Sequence, residues 1–221
     1  MPEMSPPERT EATGVGEAFD AADLPGADAH PDDRRGSLGQ TPSQTVGPFF
    51  GYALPYVGGP EVRAPWLPDA IRLHGTVLDG AGDPIPDAFV EIWGADAAGR
   101  PSSERGSFAR DPHGFAGFGR AAVDRDGHYS FTTVKPGATR DGSAPYLLVT
   151  VFARGVLQHL FTRAYFGDEA EANASDPLLG RVDEARRGTL IADPDAPRSY
   201  RFDLRLQGEG ETVFLDYGTE V

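Results

Sequence analysis

Residues 128–155 read HYSFTTVKPGATRDGSAPYLLVTVFARG and carry the clearest strand pattern of the sequence. Polar and apolar side chains alternate through residues 128–134, which predicts a half-buried strand because successive side chains of a strand point to opposite faces. The K-P-G turn ends that strand, since proline and glycine interrupt regular pairing. Residues 145–153 are almost wholly apolar, so we expect a central strand that is buried on both faces.

Further short strands are predicted on both sides of this stretch, at intervals typical of an all-β domain. The DRDG sequence at residues 124–127 predicts a hairpin turn between two of them. Only residues 168–187 have helical character, with Asp176 as a cap and Pro177 as a first helical residue. The predicted fold class is all-β, an antiparallel β-sandwich with long loops and little helix. Apolar patterning places the additional strands at residues 71–77, 89–93, 118–123, 158–166, 202–206 and 212–217.

The composition disfavours several classes of function. The chain has 221 residues, a net charge of −14 and no cysteine. The negative charge argues against nucleic acid and anionic membrane surfaces as partners, because binding to phosphate needs clustered Lys and Arg. The absence of cysteine excludes disulfides and thiolate metal sites and fits a cytoplasmic protein. No apolar run approaches the ~20 residues of a membrane span, and the first residues lack the apolar centre of a signal peptide.

Residues 1–40 differ from the rest of the chain. They contain nine acidic and three basic side chains and few large apolar ones, so burial cannot offset the entropy lost on ordering them. We expect a disordered or loosely attached acidic arm, followed by one β-sandwich domain over residues 41–221. Residues 41–56 are too rich in proline for a helix and too apolar for a solvated linker, so they should lie extended against the domain.

The histidines offer no local metal-binding pair. No two of them are spaced i, i+2 or i, i+4, so each is expected to be satisfied or exposed, although convergence in the folded chain stays open. The five histidines are His30, His74, His113, His128 and His159.

Several separated segments carry a resemblance to a known family. VEIWGAD at residues 90–96 and TVKPG at residues 133–137 resemble the intradiol ring-cleaving dioxygenases. TPSQTVGP at residues 41–48, FARG at residues 152–155 and LQGEGETVF at residues 206–214 resemble the α-subunit branch of the protocatechuate 3,4-dioxygenases. The resemblance implies the intradiol β-sandwich fold. It also implies a role in the insertion of both atoms of O₂ into 3,4-dihydroxybenzoate, which gives 3-carboxy-cis,cis-muconate.

In this family the cofactor is Fe(III), held by two tyrosines and two histidines. The resemblance places the corresponding positions at Pro101, Thr139, Tyr146 and Leu148. Pro, Thr and Leu offer no donor comparable to phenolate or imidazole, so no metal is expected in this chain. The resemblance implies that a partner β subunit carries the iron with its ligands and that this chain works beside that active copy.

Four further residues take a role from the resemblance. It implies that Thr45, Gly47, Pro48 and Arg154 form part of the substrate-pocket wall at the interface with the β subunit. A rigid Gly-Pro backbone supplies a fixed wall with little entropy left to lose. The alternatives are core packing for the segment around Gly47 and, for Arg154, capping of strand-end carbonyls or pairing with an acid.

Two other functions stay open at this point. A β-sandwich binding or scaffold module without an enzymatic role would expose aromatic side chains in a groove and be a stable monomer. An independent dioxygenase with rewired ligands would bind iron by itself and show the colour of a tyrosinate complex.

Overall fold

Nine strands form the framework of the described part of the chain. The structure is a computed structural model, and it describes residues 42–47, 50–102, 111 and 113–217; the arm expected over residues 1–40 lies outside these. The strands are β1 (Ala70–Leu78), β2 (Phe89–Trp93), β3 (Phe118–Ala122), β4 (His128–Val134), β5 (Tyr146–Phe152), β6 (Leu160–Phe166), β7 (Ile191–Ala196), β8 (Ser199–Arg201) and β9 (Leu204–Arg205).

Helix is confined to short pieces in the described residues. A helical region separates β6 from β7, as the sequence predicts. One helical turn that the sequence does not predict precedes β1. The longest helix has six residues, and none of the described helices has the length and apolarity needed to cross a membrane. The helices are α1 (Phe50–Ala53), α2 (Ala170–Ser175) and α3 (Glu184–Arg187), with 3-10 turns at Leu179–Arg181 and Gly188–Leu190.

Hydrogen bonds join the strands in the order β3-β2-β5-β6-β7-β8-β1-β4, with β9 also paired to β1. The two ends of this order, β3 and β4, are consecutive in the chain and are joined by a turn at residues 124–127, so the sheet nearly closes. The predicted hairpin is wrong, because β3 pairs with β2 and β4 pairs with β1 rather than with each other. Most pairings are antiparallel, and β1–β8, β1–β9 and β6–β7 are parallel. The all-β fold class is confirmed, with these parallel pairings as an addition.

Period-two alternation marks the core face of the strands as predicted. Leu73 of β1, Phe131 of β4 and Val149 of β5 are fully buried within one hydrophobic cluster. On the other face of β5, Tyr146 and Leu148 are only half-buried. The sequence pattern predicts that this strand is buried on both faces. This is correct for the core face, whereas the other face is only partly buried. That second face carries Tyr146 and Leu148, two of the positions that the resemblance assigns to metal ligands.

The chain after β7 departs from the predicted strand pattern. Residues 202–206 are predicted as one strand, but the pairing with β1 is interrupted between β8 and β9. A Cβ atom built on Gly75, in the middle of β1, would lie 1.9 Å from the carbonyl oxygen of Phe202. The backbone at Phe202 thus passes too close to β1 for regular strand pairing. Only glycine, which has no Cβ atom, allows such a close approach at position 75.

Three other local predictions are wrong. Residues 212–217 form no strand, and only Leu215 bridges to Phe161. β7 is missing from the prediction because it contains Pro194, which normally argues against a strand. Residues 41–56 are not wholly extended, because α1 forms one helical turn. The centroid of the Phe50 ring in this turn lies 5.3 Å from that of Phe89.

Candidate functional site

The positions that the resemblance assigns to the family's metal ligands lie on β5 and on two contacting loops. Tyr146 and Leu148 share the half-buried face of β5, and Leu148 stands opposite Trp93 of the neighbouring strand β2. The loop after β2 leads to Pro101, which forms an isolated bridge with Ala95. Thr139 belongs to the loop that follows β4. All of these positions therefore lie in β5 or in loops that adjoin β2 and β4.

The two loops are held together by backbone contacts. The N–H of Gly137 donates to the carbonyl of Asp96 at 2.9 Å. A Cβ atom on Gly99 would lie 2.0 Å from the carbonyl oxygen of Ala138, and Gly99 has a φ of 77°. Glycine is required here because the left-handed conformation and the close approach both exclude a side chain. The scaffold that places Pro101 and Thr139 is therefore intact.

The side chains at these positions do not suit a ferric ion. Tyr146 supplies a phenol, whereas Pro101 and Leu148 have no donor and Thr139 has a neutral hydroxyl, which is a poor ligand beside phenolate and imidazole. In the described part of the chain no group of three or more His, Cys, Asp or Glu side chains could hold a metal. The side chains at the assigned positions thus do not fit the iron that the family uses.

A cation lies against the one remaining donor. The central carbon of the Arg163 guanidinium is 3.9 Å from the centroid of the Tyr146 ring. Antiparallel pairing of Leu148 with Arg163 puts both side chains on the same face as Tyr146. The guanidinium also donates from Nη1 to the Tyr165 hydroxyl at 3.2 Å, while its Nε is buried without a hydrogen-bond partner in the structure. A fixed positive charge of this kind opposes the binding of a metal cation.

A buried carboxylate holds the same region from the other side. Asp176 is 2% exposed and accepts hydrogen bonds from the Tyr165 hydroxyl and from the backbone N–H groups of Ala144, Leu178 and Leu179. Burial raises the pKa of Tyr165, and Arg163 partly opposes that rise. The Asp176 carboxylate thus binds the backbone that leads into the 3-10 turn at Leu179–Arg181. The N-cap of that turn is Leu178 and its first residue is Leu179, so the predicted cap at Asp176 with Pro177 as the first helical residue is wrong by two positions. The bond from Ala144 fixes the chain just before β5 begins.

Three of the four predicted wall residues are brought together at the other end of β5. The hydroxyl of Thr45 accepts a hydrogen bond from the N–H of Gly155 at 2.8 Å and donates weakly to the carbonyl of Ala153 at 3.5 Å. This places the segment that contains Gly47 against the turn that contains Arg154. Pro48 lies outside the described residues.

Gly47 and Arg154 line an open cavity of about 350 Å³. A Cβ atom on Gly47 would meet no atom within 4 Å, so this backbone faces open space. The Nε of Arg154 donates to Asp87, and the guanidinium is 60% exposed. In the described residues its Nη groups have no protein partner. The predicted pairing of Arg154 with an acid is thus present, and the cavity beside it is also present.

The sequence pattern missed the residues that complete these sites. Arg163 is the lone charge in the apolar strand LFTRAYF, which is the signal that could have revealed it. Asp87 lies in a loop after two prolines and carries no such signal. His74 and His128 are far apart in sequence, yet their rings meet across β1 and β4, with Nδ1 of His74 3.2 Å from Nε2 of His128.

Comparison with known proteins gives one consistent family. A family model described as Dioxygenase matches residues 67–208. The chain is 44% identical over 196 residues to the protocatechuate 3,4-dioxygenase alpha chain of Burkholderia cepacia, which covers 81% of this chain and 98% of that one. It is 33% identical over 162 residues to the beta chain from the same organism, which covers 66% of this chain and 68% of that one.

A solved structure agrees with this relationship. The dioxygenase domain of a dioxygenase and carbohydrate-binding protein fusion from Streptomyces sp. SirexAA-E has a TM-score of 0.52 and 26% identity, and covers 76% of this chain and 98% of that chain. The chain therefore belongs to the intradiol ring-cleaving dioxygenases, the family that also contains the alpha and beta chains of protocatechuate 3,4-dioxygenase.

Proposed function

We propose that this chain is the α subunit of a protocatechuate 3,4-dioxygenase and binds no iron itself. A partner β subunit supplies Fe(III) and its protein ligands. The complex cleaves the ring of 3,4-dihydroxybenzoate between the two hydroxylated carbons. Both atoms of O₂ enter the product, 3-carboxy-cis,cis-muconate, so the equation balances without a further reductant.

The observation that supports the proposal is a scaffold with its loop contacts in place, whose side chains at the assigned ligand positions do not suit iron. The loops that hold Pro101 and Thr139 keep their glycine-dependent contact. The donors that iron would need are nevertheless absent at Pro101 and Leu148, and Arg163 lies on the Tyr146 ring. A chain that keeps the fold while it loses the metal donors is suited to work beside an active copy, because the surface between the two copies can persist after one site is lost.

The contribution of this chain to catalysis is then a part of the pocket wall. We assign this role to Thr45, Gly47, Pro48 and Arg154, at the interface with the β subunit. Thr45 fixes the segment against the Gly155 turn, and Gly47 presents bare backbone to the cavity. Arg154 is anchored through Nε to Asp87 and leaves its Nη groups to an anionic ligand. A charge-assisted bond to a carboxylate contributes about 1.5–3 kcal/mol.

Co-expression tests the proposal. The chain is produced with and without the iron-bearing β chain of the same organism, and iron content, visible absorption, O₂ uptake and loss of 3,4-dihydroxybenzoate are measured. We expect turnover and iron only in the co-purified complex, and neither in the chain alone. Stoichiometric iron and turnover in the chain alone would establish an independent dioxygenase. Failure to associate with the β chain would leave a β-sandwich scaffold or binding module.

A further inference from the structure

Two histidines on neighbouring strands form a cluster outside the region described above. In the antiparallel pair β1–β4, His74 stands opposite Ser130 and Thr76 stands opposite His128. His74 and His128 are therefore diagonal neighbours on one face of the sheet, which brings their side chains within reach of each other. The Nδ1 atom of His74 lies 3.2 Å from the Nε2 atom of His128.

This separation suits a shared metal ion as well as a hydrogen bond. Zinc–nitrogen bonds are about 2.0–2.1 Å long, so two nitrogens bound to one tetrahedral zinc ion lie roughly 3.3 Å apart. The side chain of His74 is 13% exposed and His128 is half-buried. The pair is thus held by the sheet and remains open to solvent.

A carboxylate fixes the required tautomer of His74. The Nε2 atom of His74 lies 2.8 Å from Oδ2 of Asp195. Hydrogen bonds to Asp195, first from Ser199 and then from His74, lower the pKa of this carboxyl group. An ionised carboxylate only accepts, so in the neutral form of His74 the hydrogen lies on Nε2, and Nδ1 then has a lone pair for His128 or for a metal. This carboxylate–histidine arrangement is the one that metal-binding histidines usually have.

The backbone aims Asp195 at this histidine through an irregularity in the sheet. In the β7–β8 pairing Pro194 stands opposite Tyr200 and Ala196 stands opposite Ser199, so Asp195 is the extra residue of a bulge. A bulge turns a side chain away from its regular direction and is frequent beside functional sites. Asp195 therefore reaches His74 even though β8 lies between β7 and β1.

The electrostatic surroundings favour a neutral His128. Burial lowers the pKa of His128, His74 and Arg72 lower it further, and Asp124 and Asp203 act in the opposite direction. Arg72 donates to Ser130, and Asp203 is engaged by Arg201 and by the N–H of Thr76. A neutral imidazole keeps its lone pair at neutral pH, as a metal ligand must.

We propose that Nδ1 of His74 and Nε2 of His128 bind one divalent transition-metal ion of the zinc and copper class, with Asp195 orienting His74. Imidazole donors suit such ions. In the described residues no third side chain completes a cage, so water fills the other positions. The ion joins β1 to β4 and, through Asp195, to β7. This site is separate from the iron of the proposed β subunit and does not rest on the proposed function.

Titration of the untagged full-length chain with zinc, monitored by calorimetry, tests the site. We expect one ion per chain and a higher thermal midpoint with zinc than with a chelator. His74→Gln and His128→Gln should each abolish saturable binding. Asp195→Asn should weaken it by about tenfold, because outer partners of ligating histidines typically carry effects of that size. His113→Gln, which changes an exposed histidine in a loop, should bind zinc like the wild type.

A spectroscopic measurement on the wild-type chain tests the site without relying on variants that could fail to fold. Electron paramagnetic resonance with one equivalent of Cu²⁺ should show two coordinated nitrogens. No saturable zinc binding up to about 1 mM, which corresponds to a binding free energy of only about −4 kcal/mol, overturns the proposal. So does a copper signal with fewer than two nitrogens, or equal loss of binding in His113→Gln. In each case the cluster is only a hydrogen-bonded histidine chain.

Discussion

Among single residues, Arg163 has the largest effect on whether the assigned ligand positions could bind a metal, because it brings a positive charge to them. Tyr146 keeps a phenol, but a guanidinium lies 3.9 Å from its ring. The family resemblance assigns Pro101 and Leu148 to ligand positions from the sequence alone, and this assignment stays a prediction. The place of Arg163 beside Tyr146 could not be predicted, because it follows from the register of β5 with β6, which a single sequence does not specify.

Arg163→Met is expected to lower the free energy of unfolding by about 1 kcal/mol. The cation–π contact is worth about 0.5–2 kcal/mol, and the bond to Tyr165 adds about 1 kcal/mol. Relief of the buried, unpaired Nε offsets part of this loss. Urea unfolding measures the change. Arg125→Met, an exposed arginine in the β3–β4 turn, is the matched control and should have almost no effect; a more stable Arg163→Met chain would contradict a stabilising role.

Arg154→Ala in the co-expressed complex should reduce kcat/KM by about 10- to 100-fold, the rate equivalent of a lost charge-assisted contact. Iron content and assembly should not change, because Arg154 is expected at the pocket wall and not among the metal ligands. Arg154→Lys should recover part of the rate, since it keeps the charge and loses the planar donor pair. Wild-type kinetics for Arg154→Ala would remove the pocket role.

At the scale of elements, the alternating strands were predictable and their partners were not. β1 and β4 follow from alternation, because one face of each packs into the core. β7 does not, because Pro194 and its acidic neighbours lack a strand pattern and the strand forms only through pairing with β6 and β8. The candidate site shows the same limit. Thr45 and Arg154 carry recognisable motifs, whereas the cavity between them depends on how separate loops pack.

Asp176→Ala is expected to lower the free energy of unfolding by about 3 kcal/mol or more, because it leaves three backbone N–H groups and the Tyr165 hydroxyl without their acceptor. Thermal melting followed by circular dichroism measures the change. Asp183→Ala is the matched control. Asp183 precedes α3 without a side-chain capping bond, so its loss should cost no more than about 0.5 kcal/mol. Equal effects in the two variants would disprove the role of Asp176.

At the scale of the whole molecule, several large apolar side chains face solvent. Val57 is 97% exposed, Trp66 66% and Leu157 60%. Single exposed apolar residues are ordinary, but Leu157 borders a groove with Val46 and Phe50, next to the proposed pocket wall. This part of the surface is therefore a reasonable place for a partner chain to cover.

The chain produced alone should self-associate, and the β chain should convert it into one defined complex. Light scattering coupled to size exclusion measures both states. Leu157→Gln should reduce self-association, because it removes an apolar side chain from the groove. Glu184→Gln, at an exposed position in α3, should leave it unchanged. A wild-type chain that behaves as a stable monomer at high concentration would favour the binding-module alternative.

Alkaline pH should destabilise the whole fold. Burial raises the pKa of Tyr129 well above its ordinary value of 10.0, and the charge of Asp203 adds to the effect. The folded chain therefore keeps a proton that the unfolded chain releases, so stability is full below about pH 10 and falls as pH rises further. The slope is about 1.4 kcal/mol per pH unit for each such group.

Tyr129→Phe separates the two effects of this side chain. At pH 8 it should lower the free energy of unfolding by about 1–3 kcal/mol, because the carbonyl of Phe202 loses its buried partner. Above pH 10 the variant should lose stability less steeply than the wild type. Urea unfolding at a series of pH values measures both quantities. An unchanged alkaline slope would show that Tyr129 does not control the loss.

Arg163 also bears on what an iron site in this chain would require. Under the proposed function, a single change such as Leu148→His would add one imidazole beside the Arg163 guanidinium, while Pro101 and Thr139 would still lack a phenolate or imidazole donor. An iron site in this chain would then need several donors to appear together and the Arg163 charge to be removed. A chain with only some of these changes would still depend on the iron of its proposed partner.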